Sequence, residues 1–92
     1  MITIYPKEKE GRMKTKQAIE TRILQLCREK GITVNAVAND SGMSPSTIYS
    51  MLNEKSKNPG VVSIKIFCDG LGITLRQFFD DPIFDDIEQE IQ

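Results

Sequence analysis

A chain of 92 residues, 39% hydrophobic and 27% charged, holds one small globular domain, too short for an enzyme cleft between two lobes. No apolar run approaches the roughly 18 residues of a membrane span, and the two cysteines with no histidine make neither a disulfide framework nor a usual zinc site. The net charge of −1 hides a segregation: all 12 Lys and Arg precede residue 80 and six of the 13 acids follow from there, leaving residues 1–79 at +5 and the tail acidic. Because phosphate neutralisation depends on the local charge of a docking face, the overall sign does not exclude DNA.

The first 15 residues read as an N-terminal arm: an alternating ITIY, a stop at Pro6 and a charged KEKEGRMK run. Lys9-Glu10-Gly11 can also be encoded AAG GAG GGN, a purine-rich ribosome-binding sequence just ahead of an ATG for Met13, so translation starting at Met13 stands beside an ordinary arm as a second reading. The start lacks a basic segment followed by a long apolar stretch, so a cytoplasmic location is expected.

Residues 16–80 carry the helical signals. Ile19, Ile23, Leu26 and Cys27 recur at helical spacing, predicting a first helix over 16–30 that ends at Gly31. Thr33 caps a second helix running to about residue 40. A third spans 45–52, opened by Ser44 as cap and Pro45 at the first helical position, where the missing N–H costs nothing. Between them Gly42 suits a three-residue turn that needs positive φ, and Ala38 is small enough for a close helix crossing. Val37, Met43, Ile48 and Met51 are predicted to seal the inner side. Two short helices joined in this way have the layout of a DNA-reading helix-turn-helix.

Beyond the polar loop NEKSKN, Pro59 predicts the start of a fourth helix carrying Val62, Ile64, Ile66, Phe67 and Leu71, halted near Gly70 and Gly72. Thr74 caps a fifth helix from residue 75 to about 79, which points Leu75, Phe78 and Phe79 at the core before Asp80-Asp81-Pro82 interrupts it. The tail, 81–92, places Ile83, Phe84, Ile87 and Ile91 on one stripe, an acidic amphipathic helix that either folds back or pairs with a second subunit.

Taken together, Arg22-Ile23, Leu26, Gly31-Ile32-Thr33, Val37-Ala38, Gly42-Met43-Ser44, Ile48, Pro59, Leu71 to Leu75 and Phe78-Phe79 make the chain resemble the lambda-type phage repressor and Cro family of helix-turn-helix proteins, the XRE family. The resemblance implies an all-α, five-helix DNA-binding domain, usually dimeric on palindromic operators, and needs no cofactor. Three departures from the family pattern involve four positions. Val34 replaces a glutamine that commonly contacts phosphate. Ser41 replaces an apolar residue before the turn, so its hydroxyl must bond back to the helix or reach water. Cys27 and Leu52 stand where several phage repressors pair a buried arginine with a glutamate. Changing both partners avoids the roughly 3 to 5 kcal/mol of a stranded buried charge, and the two residues are expected to pack together.

With the third helix in the major groove, Pro45, Ser46, Tyr49 and Ser50 are the candidates for base readout. Serine hydroxyls donate to or accept from either kind of base pair, and Tyr49 offers a ring to a thymine methyl and a hydroxyl to a base or phosphate. No arginine or glutamine supplies a bidentate code on this helix, so DNA shape carries much of the specificity. Ser44, Thr47, Asn53, Lys55, Lys57 and Asn58 are the phosphate candidates, the last four on a loop that the resemblance assigns to clamping the DNA backbone. Buried thiols, a solvated acidic tail and no arranged base or nucleophile leave no catalytic or metal set. The leading expectation is a repressor-like transcriptional regulator binding double-stranded operator DNA as a homodimer, without a small-molecule substrate; the alternative is a protein-interaction module, antitoxin-like, on the same fold.

Overall fold

The computed structural model describes residues 12–53 and 58–91, for Pro45 the backbone only. Five α-helices follow one another: α1 (Thr15–Lys30), α2 (Val34–Ser41), α3 (Pro45–Leu52), α4 (Val61–Leu71) and α5 (Leu75–Phe79), then a 3-10 turn, Pro82–Asp85. The only pairing of extended backbone among the described residues is an isolated parallel bridge between Met13 and Ile87. The fold is all-α, with the helix order and ends of α1, α3 and α5 within a residue of those expected.

The core is built from one side of each helix. Ile19, Ile23, Leu26 and Cys27 of α1, Val37 and Ala38 of α2, Ile48 and Met51 of α3, Ile64, Phe67 and Cys68 of α4 and Phe78 of α5 form one buried cluster, with Met43 of the turn. Leu52 packs against the cluster that contains Cys27, so both of those positions sit in apolar surroundings. Burial raises the Cys27 thiol and pushes that of Cys68 to about 11, helped by the neighbouring Asp69 carboxylate, so neither is a thiolate at neutral pH.

Two elements differ from the sequence expectation. α4 starts at Val61 with Gly60 as its cap, two residues after Pro59, and Gly60 supplies no side-chain bond. α4 ends at Leu71 with Gly72 as its left-handed cap, near the two glycines expected to halt it, and Gly70 lies within its last turn. A Cβ on Gly70 would lie 2.8 Å from the Ser41 Cβ and 3.1 Å from the Val37 carbonyl oxygen, so this glycine is where α2 lies directly on α4. Ser41 answers its own polarity by donating its hydroxyl to the Ala38 carbonyl at 3.1 Å.

The second difference is the tail. Only Pro82–Asp85 is helical, as a 3-10 turn opened by Asp81, whose carboxylate accepts from the Ile83 N–H at 2.9 Å. Beyond it the acids at 85, 86, 88 and 90 would repel one another at helical spacing, and an extended path gives them other partners. The Glu88 N–H donates to the Met13 carbonyl at 2.7 Å and Asp86 pairs with Arg12 at 3.0 Å. Ile83, Phe84 and Ile87 are half-buried on their own domain, while Ile91 is exposed. The tail therefore folds back and clasps residues 12 and 13. Residues 1–11, with the ITIY and KEKEG segments, lie outside the described residues.

The charged contact behind this arrangement is Arg22. Its guanidinium donates from Nε to the Phe78 carbonyl at 2.6 Å, from Nη2 to the Gln77 carbonyl at 2.7 Å, and from Nη1 to Gln25 and the Asp81 carboxylate at 3.1 and 3.2 Å. One buried cation thus holds the end of α5 and the start of the tail against α1.

Two substitutions test these contacts by urea unfolding. Gly70→Ala should lower stability by about 1 to 3 kcal/mol, because the overlap with Ser41 and Val37 outweighs the gain in helix propensity of about 1 kcal/mol. Arg22→Ala should cost about 3 kcal/mol, since it strands two carbonyls and the Asp81 carboxylate; a loss below about 1 kcal/mol would contradict the role given to it.

Candidate nucleic-acid interface

The surface formed by α2, α3 and the segment after α3 is set by local chemistry at each helix end. The Thr33 hydroxyl accepts from the Ala36 N–H at 3.1 Å and starts α2. Gly42 closes it with φ of 72°, which lets the Met43 N–H return to the Ala38 carbonyl at 2.9 Å. Ser44 then opens α3 by accepting from the Thr47 N–H at 3.3 Å. The inner face of α3 is closed, Ile48 fully buried and Met51 nearly so. Its outer face is open, with Ser46, Tyr49 and Ser50 exposed.

Several of the outer side chains are already engaged. The Ser44 hydroxyl lies 3.1 Å from that of Ser46 and 2.9 Å from that of Thr47, so one cap and two flanking hydroxyls share a small network at the start of α3. Tyr49, 48% exposed, donates its hydroxyl to Asn35 Oδ1 of α2 at 2.9 Å. At the other end of α3 the Asn53 N–H bonds the Ser50 carbonyl, and the Asn53 carbonyl accepts from Lys16 Nζ at 2.9 Å, tying α1 to the start of the loop. Lys16 is also paired with Glu20 at 2.7 Å, so its charge is spent within the domain.

The structure brings Ser46, Thr47, Ser50 and Asn58 to the walls of one open cleft, completed by Met51, Pro59, Gly60 and Ser63. Ser44 and Asn53 lie at the two ends of α3, and α3 begins at Pro45. Lys55 and Lys57 lie outside the described residues. Sequence reasoning missed Asn35, Lys16 and Ser63. Asn35 carried a readable signal, a polar residue in the first turn of α2 two places after its cap; Ser63, one serine within an apolar helix, carried none. Among the described residues no group of three or more His, Cys, Asp or Glu is placed to hold a metal ion, and no helix is long and apolar enough to cross a membrane.

This geometry is that of a helix-turn-helix, and the model of the Cro/C1-type HTH DNA-binding domain matches residues 22–82. The chain belongs to that family, a family of non-enzymatic DNA-binding regulators acting on double-stranded DNA. Among solved structures it is similar to the prophage Lp1 protein 11, with a TM-score of 0.72 and 28% sequence identity over 82% of this chain and 99% of the other. Comparison with curated proteins gives no match. The family match begins at residue 22 and ends at residue 82, so residues 12 and 13 and the clasp the tail makes with them lie outside it.

Proposed function

We propose that the protein is a sequence-specific, repressor-like transcriptional regulator that places α3 in the major groove of operator DNA. The observation that carries this reading is the division of α3 into a sealed inner face and an exposed polar outer face, directly beside a cleft of small polar residues. An α-helix fits the major groove, where each base pair presents its own pattern of donors and acceptors. Pro45, Ser46, Tyr49 and Ser50 are the proposed readout positions. Ser44, Thr47, Asn53 and Asn58 are proposed to meet the sugar-phosphate backbone together with Lys55 and Lys57, whose part rests on the sequence.

A homodimer on a palindromic operator completes the proposal. Its tail no longer offers the broad apolar stripe, since Ile83, Phe84 and Ile87 are half-buried on their own domain. Leu24, Val61, Val62 and Ile91 are also exposed, and the surface proposed for a second copy is on α5, where Phe79 is 41% exposed and lines a shallow depression with Leu75, Arg76 and Asp80. That same patch supports the second reading, a protein-interaction module whose partner is another chain. Purified protein that shows no salt-dependent duplex binding but captures one stable protein partner would favour that second reading.

Under the DNA reading, Lys55→Ala and Lys57→Ala should each weaken binding to all duplexes alike and reduce the slope of log affinity against log salt by about 1. Gel-shift or anisotropy titrations over a salt series measure both. Phe79→Glu should convert a dimer to a monomer in light scattering; an unchanged dimer removes α5 from the interface.

A further inference from the structure

The hydrogen bond from Tyr49 to Asn35 joins the exposed sides of the two helices of the helix-turn-helix across 14 residues of sequence. Ser46, Tyr49 and Ser50 fall within an arc of about 100° on α3 at 3.6 residues per turn, with the tyrosine at the edge of that outer face from which its hydroxyl reaches α2. A tyrosine hydroxyl has one proton and two lone pairs. With the proton directed to Asn35 Oδ1, only lone pairs remain for anything else the oxygen meets. Asn35 in turn accepts through its carbonyl oxygen, which leaves its two amide N–H donors at the first turn of α2, where the Thr33 cap and the exposed backbone begin.

We propose that Asn35 is a positioning residue for base readout: it fixes Tyr49 as a hydrogen-bond acceptor on the α3 outer face, so that Tyr49 selects a base that donates from its major-groove edge. The donors there are the adenine N6 and cytosine N4 amino groups, while guanine and thymine present acceptors at the equivalent positions. A rotating tyrosine hydroxyl would satisfy both classes and discriminate little. The committed one is repelled by guanine O6 and thymine O4. The Asn35 amide donors suit a phosphate oxygen, which would hold the pair against the backbone while the ring faces the bases. This inference rests on the docking of α3 proposed above and adds to it the orientation of one reader.

The test is selection of duplexes from a random pool by the wild-type chain, Asn35→Ala, Tyr49→Phe, the double variant and Asn35→Asp. The wild type should enrich adenine or cytosine at one position of each half-site by about 3- to 10-fold, the range of one hydrogen bond. Asn35→Ala and Tyr49→Phe should each remove that preference, and the double variant should lose no more than either, since one interaction is being broken twice. Asn35→Asp keeps the acceptor, so it should retain the preference while binding every duplex more weakly through its added negative charge. Asn35→Ala with the preference intact beside Tyr49→Phe without it would overturn the positioning role and leave the docking of α3 standing. Enrichment that survives in both single variants would overturn readout by Tyr49 itself. A wild type that enriches no sequence would overturn the docking reading, and this inference with it.

Discussion

Arg22 is the contact on which the second half of the domain depends. A five-residue helix cannot hold itself together in water, because nucleating one turn fixes several dihedrals for very few hydrogen bonds. α5 survives because both of its ends are tied. Thr74 and Gln77 close the N-terminal end reciprocally, each side chain meeting the other's backbone N–H at 2.8 and 3.0 Å. At the other end Arg22 supplies a cation to the last carbonyls, where the helix dipole favours positive charge. The desolvation of a guanidinium that is only 7% exposed is offset by four bonds, three of them to neutral acceptors and one to the Asp81 carboxylate.

Fixing α5 fixes what lies on both sides of it. Phe78 is driven to zero exposure, edge-on to Phe67 of α4 at 6.1 Å and against Phe79 at 4.9 Å, and Phe84 of the 3-10 turn closes on the same rings. The turn is then near enough to α1 for the following residues to reach Met13. On the opposite side α4 is held in place against α2 through the Gly70 contact, and α2 positions α3 through the Gly42 turn. The candidate interface is thus supported by two close packings, one polar and buried, one made possible by an absent side chain.

Both packings show where sequence reasoning stops. Turn and cap chemistry is local, and Gly31, Thr33, Gly42, Ser44-Pro45 and Thr74 could be read directly because each acts within four residues of itself. Arg22 interrupts an apolar stripe, three residues after Ile19 and just before Ile23, so its burial was legible in principle; apart from Gln25, its partners lie more than 50 residues away and were not. Gly70 and Gly72 together marked the end of α4, but a glycine near a helix end has two explanations, termination or close approach, and only the position of α2 shows that Gly72 is the cap and Gly70 the close approach. The tail was misread. Its apolar spacing is genuinely helical, but spacing does not weigh the like charges between the apolar residues or the pairing available to Asp86 and Glu88 at the arm. Within the candidate site the exposed face of α3 was legible from the burial of Ile48 and Met51, whereas the internal bonding of its side chains was not.

That internal bonding bears on how such a surface can discriminate. Ser44, Ser46 and Thr47 are occupied with one another at the start of α3, and Tyr49 with Asn35, so few donors and acceptors on the outer face are uncommitted before DNA arrives. A committed group is a more selective reader than a free one, because its unused valence has one sign, but each commitment also removes a contact that could have added affinity. A helix of small hydroxyls arranged in this way favours contributions of a few kcal/mol at one or two base pairs, with the remaining affinity drawn from the backbone contacts around it. With α3 docked as proposed, the cost of bending or narrowing the duplex against the cleft by Asn58 and Ser63 would then select sequence at base pairs that no side chain touches.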